Sequence, residues 1–175
     1  MLIRQIIILS LSFTFCLMSY GQPISENNIQ FDTSKVAIIS LDSSANNISK
    51  LFKSVAPAQL VPDDLTIIEL VLIRFIKDYN LEQEKQYEKI KTENPKSKIN
   101  INSFVIDLSK YKRQYVATIN KKGEKEVWVN CFCDSWNEKW REYLILAFEG
   151  GNCYFNLKIN LNTGEYYDLI VNEDF

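Results

Sequence analysis

The hydrophobic period of the chain changes at Pro95, and that change decides which elements can lie on either side of it. Before it, Leu65, Ile68, Leu72, Phe75, Ile76 and Tyr79 form one stripe at helical spacing, about four turns long. Pro62-Asp63-Asp64 supplies a start suited to the positive end of the helix dipole. Ile67, Leu70, Val71 and Ile73 widen the stripe most of the way round, so this stretch must be buried on more than one side. Beyond Asn80 the sequence turns to Glu82-Gln83-Glu84-Lys85-Gln86, with Tyr87 and Ile90 still facing back. The helix is therefore predicted to run on into solvent until Asn94-Pro95 stops it.

After Pro95 the period is two. Residues 101–108, 113–119, 125–133, 142–148, 153–161 and 165–172 each alternate between turn residues, the pattern of half-buried strands. Asn120-Lys121-Lys122-Gly123, Gly150-Gly151 and Asn162-Thr163-Gly164 are short glycine-containing connections, which join antiparallel neighbours. The expected fold is α+β: a long helix packed on a five- to six-stranded antiparallel meander, without internal repeat or linker. Ahead of the helix, residues 35–41 form a β-branched run expected as a strand. Ile48, Leu51, Phe52 and Val55 lie at one-face helical spacing, expected as a short helix that Pro57 stops.

The first residues have a different purpose. Met1-Leu2-Ile3-Arg4-Gln5 precedes an apolar run from Ile6 to Met18, and Ser19 and Gly21 are small residues two apart, as an export signal requires. At 13 residues, Ile6 to Met18, the run is shorter than the ~20 needed to cross a bilayer. Lipidation at Cys16 is disfavoured because Phe15 precedes it. The expected organisation is a signal peptide at 1–21, a polar lead-in at 22–33 and one domain at 34–175, exported to the periplasm or beyond and not membrane-spanning after cleavage. Removing the signal leaves 175 − 21 = 154 residues, with 19 basic against 22 acidic side chains, three cysteines and no histidine. Nothing in that balance forms a basic stripe, so nucleic acid is not an expected partner.

Tyr111-Lys112-Arg113-Gln114-Tyr115, Gly123-Glu124-Lys125, Val127-Trp128-Val129-Asn130-Cys131-Phe132-Cys133 and Gly150-Gly151-Asn152-Cys153-Tyr154-Phe155 carry a likeness to a known group. From about Val36 onward the chain resembles small exported proteins of Bacteroidota-type bacteria to which no function is assigned. The resemblance implies export and a shared cysteine-bearing strand pair, and it transfers no catalytic residue. The expected architecture is similar to the cystatin and nuclear-transport-factor folds by analogy of layout alone.

Absence of histidine removes Ser-His-Asp and Cys-His mechanisms together with the commonest metal ligand. Zinc on Cys131, Cys133 and Cys153 is disfavoured, because residues two apart on a strand are about 7 Å apart and lack knuckle spacing. No catalytic residue, metal or cofactor is expected. Acid–base chemistry would have to draw on Asp134, Glu138, Glu142, Glu149 or Asp168, all in or beside loops, where solvation explains them. Gln114-Tyr115-Val116-Ala117-Thr118 has only a chance likeness to the cystatin inhibitory hairpin, since it lacks the final glycine and lies inside a strand.

The alternating runs define two sheet faces. Val127, Val129, Cys131, Cys133, Leu144, Leu146, Phe148, Phe155, Leu157, Ile159, Leu169 and Val171 form a wholly apolar one, expected against the helix. The other mixes rings with amides: Gln114, Val116, Trp128, Asn130, Phe132, Tyr143, Ile145, Tyr154, Asn156, Lys158, Tyr166 and Asp168. Either it is a ligand surface or the 35–41 and 48–55 segments cover it. Trp128, Phe132, Tyr143 and Tyr154, with Trp136 and Trp140 from the 134–140 loop, are the candidate binding residues for an unknown ligand or protein partner. The expected function is that of an exported, non-enzymatic binding domain. A small carboxylate-dependent hydrolase or lyase and a subunit of an envelope assembly are the alternatives.

A strand at 142–148 would put Cys133 and Cys153 at opposite ends of the sheet, about 20 Å apart, beyond the ~4.4–6.8 Å between Cα atoms that a disulfide spans. Three free thiols are therefore expected. Processing between Gly21 and Gln22 is checked by intact mass of the exported protein; a species retaining residues 1–21, or carrying lipid on Cys16, would refute it.

Overall fold

The structure is a computed structural model and describes residues 32–41, 52, 56–134 and 137–172. The expected export signal, most of the expected lead-in, the expected 48–55 helix apart from Phe52, and Trp136 lie outside the described residues. One helix, α1 (Pro62–Glu93), packs against a six-stranded, mostly antiparallel open sheet, so the chain is α+β. The strands are β1 (Val36–Ile38), β2 (Ala56–Pro57), β3 (Lys112–Ile119), β4 (Lys125–Phe132), β5 (Tyr154–Asn160) and β6 (Glu165–Val171). β3 to β6 form an antiparallel series in chain order. β1 runs parallel to β3, while β2 pairs antiparallel with the far end of the same β3 edge, so two short strands share that edge in tandem.

The helix begins where the sequence places it. The Asp64 carboxylate accepts from the backbone N–H of Val61 at 2.8 Å, satisfying a donor just ahead of the first turn. The same Oδ2 lies 2.7 Å from Lys125 Nζ, which fastens the helix start to the first residue of β4. Ile68, Val71, Leu72, Phe75 and Ile76 then pack on Val127, Val129, Cys131, Phe155, Leu157 and Ile159. At roughly 1.5–3 kcal/mol for each fully buried large apolar side chain, this layer is the main hydrophobic contribution to folding. Past Asn80 the helix leaves the sheet, and its far half touches the body through Tyr87 against Phe104, ring centroids 5.6 Å apart.

Two runs expected as strands are not strands. In 101–108 the Asn100 and Asp107 side chains accept from Asn102 N–H at 3.0 Å and Ser109 N–H at 3.2 Å, winding short 3₁₀ turns instead. Ile106 presents its N–H and carbonyl to the Asn80 side chain at 2.7 and 2.8 Å. An amide on the helix thus does for Ile106 what a neighbouring strand would have done. Residues 142–148 likewise cross the sheet without joining it, leaving Leu146 46% and Phe148 87% exposed. These two do not belong to the apolar face. Leu144 packs beneath the second face, and Leu169 is exposed.

With no strand between them, β4 and β5 pair directly, and Phe132 stands opposite Tyr154. One step further, Cys133 donates its N–H to the carbonyl of Cys153 at 2.9 Å, and the two form a disulfide with Cα atoms 5.0 Å apart. The expectation of three free thiols is overturned for that reason. Gly150-Gly151 is not a hairpin between strands either. Gly150 takes a positive φ of 96°, and a Cβ there would come within 2.7 Å of the Tyr154 ring, so only glycine fits this turn into β5.

Cys131 remains as a buried thiol on the helix face, and burial pushes its pKa well up. Residues 22–175 are expected to show one thiol when denatured without reductant and three after reduction, with none reacting in the native state at pH 8. Thiol counting checks this; three thiols before reduction would mean that β4 and β5 are not neighbours.

Candidate functional site

The register settles which residues share the second face of the sheet. Gln114 faces Asn130, Val116 faces Trp128 and Thr118 faces Glu126 across β3 and β4; Asn156, Lys158 and Asn160 continue these rows on β5. The candidate aromatic–amide surface is therefore a real face, but it is divided in two.

The half nearest β3 is covered. Gln114 is fully buried, and its side-chain N–H groups donate to the carbonyls of Trp140 and of Tyr143, the latter at 2.7 Å. Its Oε1 accepts from Ile145 N–H at 2.9 Å and from the Asn130 amide at 3.1 Å. Asn130 completes the set by donating to the Ile145 carbonyl at 2.7 Å. Trp140 packs edge-on against Phe132, centroids 5.9 Å apart, with Ile145, Val116, Ala37 and Ile39 around them. The Arg141 guanidinium lies 4.4 Å from the Trp140 ring centroid and donates to the carbonyls of Val36, at 2.7 Å, and of Ser34. Phe132 and Trp140 are thus core residues, and the expectation that they line an open surface is corrected. The cover comes chiefly from the connection between β4 and β5, with Leu41 and Phe52 packed at its margin.

Trp128, Tyr143 and Tyr154 are half-buried. The Trp128 indole donates to Asn156 at 3.2 Å, and its ring meets Phe52 edge-on at 5.7 Å. Tyr166, placed on this face by simple alternation, lies on the other one against Phe75, centroids 5.3 Å apart. The shift comes from an irregularity between Asn156 and Lys158 in the pairing with β6, where Asp168 takes a positive φ of 52°. A bulge of this kind changes which residues lie on each side.

The half nearest β6 is open and ends in a hollow of about 470 Å³ between the β3–β4 and β5–β6 turns. Asn120, Lys121, Lys122, Glu124, Glu126, Asn160, Glu165 and Tyr167 line it. Glu126 is only 7% exposed and accepts from the Tyr167 hydroxyl and, at 3.4 Å, from Thr118. Burial, then the hydrogen bond to Glu126, holds the Tyr167 phenol protonated well past its ordinary range. Glu124 accepts from the amides of Asn120 at 3.1 Å and Asn160 at 3.0 Å, and the first of these lowers its carboxyl pKa.

On the helix face a second polar group is buried. Tyr115 donates to Glu69 Oε1 at 2.6 Å, and Arg113 Nε lies 3.5 Å from the same oxygen without a hydrogen-bond partner of its own. Sequence pattern does not single out Glu126, Tyr167, Glu69 or Arg113, because alternation assigns a residue to a face but not to the neighbour it meets. The acids that the pattern does single out, Asp134, Glu138, Glu142, Glu149 and Asp168, line none of the main hollows, and Asp168 pairs with Lys158 at 2.9 Å. Cys133 and Cys153 are joined, and among the described residues no group of His, Cys, Asp or Glu could hold a metal ion. No described helix is long and apolar enough to cross a membrane. A scan of family models and searches of curated proteins and of solved structures found no match.

Replacing Gln114 by Ala leaves the carbonyls and N–H that it serves without partners, each a loss of about 1–3 kcal/mol when buried. Gln114→Ala is expected to destabilise the fold by at least about 2 kcal/mol and to make 137–149 the first site of limited proteolysis. Denaturant melts and mass mapping of the early fragments check it; unchanged stability with an intact 137–149 segment would show that the amides do not hold the cover.

Proposed function

We propose that the chain is an exported, non-enzymatic binding domain that meets its partner along the open half of the second sheet face and the β6 edge. The observation that carries this reading is where exposed apolar surface gathers. Among the described residues, Leu146, Phe148, Tyr166, Tyr167, Leu169 and Ile170 are six of the ten large hydrophobic side chains that are exposed, and all lie on β6 or on the segment beside its end. Asn172 binds that segment to β6 by donating to the carbonyls of Ala147, at 2.9 Å, and Glu149, at 3.0 Å. Apolar residues scattered singly over a surface need no explanation, whereas a row of them beside a polar hollow is the composition of a contact surface.

Export is supported by the apolar run from Ile6 to Met18 and by the resemblance to exported proteins of Bacteroidota-type bacteria. A carboxylate-dependent hydrolase or lyase is the weaker reading, because the five loop acids line none of the main hollows. Of the six aromatic residues expected to bind, Trp128 stays in the reading as a half-buried ring at the margin of the covered half, and Tyr167 takes the place of Phe132.

A photo-crosslinking amino acid placed at Tyr167, and separately at Leu81 on the exposed stretch of α1, tests the reading in cells that make the protein. A discrete crosslinked species is expected from position 167 and not from 81. Equal labelling at both positions, or none at 167, would overturn it.

A further inference from the structure

We infer that β6 is a docking edge for an extended peptide segment of a partner protein, basic towards one end and apolar towards the other. This rests on the reading of the chain as a binding domain and adds the chemistry of what it binds.

β6 is the last strand of the sheet, and among the described residues no strand pairs with its outer edge. On its inner side Asn172 donates to the Tyr154 carbonyl at 3.0 Å. Antiparallel bonds alternate along a strand, so the neighbouring Val171, opposite Phe155, turns its N–H and carbonyl outward. An extended peptide satisfies such groups by adding one more strand, while its alternate side chains read what lies on either side.

The surroundings of the edge differ at its two ends. At the Val171 end stand Ile170, 57% exposed, and the exposed Leu146 and Phe148. At the Glu165 end lies the hollow, with the carboxylates of Glu124, Glu126 and Glu165 and the Tyr167 ring. The ion pairs of the described residues do not use these three carboxylates. Lys121 and Lys122 on the rim are exposed, so solvent and salt screen them, while Glu126 is withdrawn from water and its charge is felt more strongly. A lysine or arginine side chain entering there complements the carboxylates, and an apolar side chain at the other end covers Ile170 and Phe148.

A second copy of the chain fits less well. Antiparallel pairing of two β6 strands about their centre would set Asp168 beside Asp168, and like charges directly opposite destabilise a strand pair. The Asp168 bulge also breaks the edge into two short stretches, which suits a short segment better than a long strand.

The test uses the purified whole chain and a fluorescein-labelled ten-residue peptide. Lysine alternates with threonine in one half and valine with threonine in the other, and the peptide is made in both sequence directions. Fluorescence anisotropy is expected to show saturable binding of one direction. Glutamate in place of lysine is expected to weaken it by at least about tenfold, the scale of one charge-assisted hydrogen bond, and backbone N-methylation of the valines should abolish it. Glu126→Gln keeps an acceptor for Tyr167 and should weaken the lysine peptide by about tenfold while binding the glutamate peptide no more weakly. Ile170→Lys, at an exposed position, should weaken both. Circular dichroism melts confirm that both variants are folded. Undiminished binding of the N-methylated or the glutamate peptide overturns the inference, as does failure of both lysine peptides to bind. It is overturned too if light scattering shows a dimer that Ile170→Lys disperses. If the peptides fail while crosslinking at position 167 persists, the inference falls and the binding-domain reading stands; if both fail, so does that reading.

Discussion

The side-chain amide pair of Gln114 and Asn130 is the interaction on which the layout of the second face depends. An open sheet buried on one side by a helix has another side to dispose of, and a covering segment brings backbone groups that must find partners. Here the partners are not a further strand but two amides standing opposite each other on β3 and β4. Between them they serve Trp140, Tyr143 and Ile145, so 137–147 lies across the sheet with its backbone satisfied while Trp140 and Ile145 fill the space above Phe132 and Val116. Buried polar networks of this kind favour one arrangement because each member is costly to leave unpaired.

The disulfide belongs to the same arrangement. Cys133 and Cys153 close the connection at its base, 20 residues apart in sequence, where β4 and β5 pair directly. In the chain-entropy model a loop of this length gives about 3 kcal/mol by restricting the unfolded chain. That helps a connection which forms no strand and has modest burial of its own. Arg141 adds a third attachment by reaching the carbonyls of Ser34 and Val36, so the cover, the parallel strand β1 and the β3 edge hold together.

What the cover leaves exposed is the other edge. β1 and β2 occupy the outer side of β3, whereas β6 has a bulge, charged neighbours and a row of half-exposed rings and aliphatic side chains. Bulges and charges are the usual means of keeping an edge strand from unwanted pairing. The combination of that restraint with Ile170 and Phe148 so exposed is what sets this edge apart from a merely protected one.

Local pattern alone was enough for the helix from Pro62 to Glu93, for β1 and β3 to β6 and for the apolar face of β4 and β5. Each of these depends on periodicity and on a stop such as Asn94-Pro95 or Asn162-Thr163-Gly164, and periodicity is a property of consecutive residues. The stretches 101–108 and 142–148 alternate just as clearly, yet neither pairs. Their backbone groups are claimed by Asn80, Gln114 and Asn130, residues 15 to 31 positions away, and no local pattern reveals a side-chain amide acting in place of a strand. From that one difference follow the Cys133–Cys153 bond and the burial of Phe132 and Trp140, while the meeting of Glu126 with Tyr167 needs the bulge at Asp168 as well. Tertiary structure decided these because each needs two segments to arrive at the same place, and which segments do so depends on where every buried donor and acceptor finds its partner.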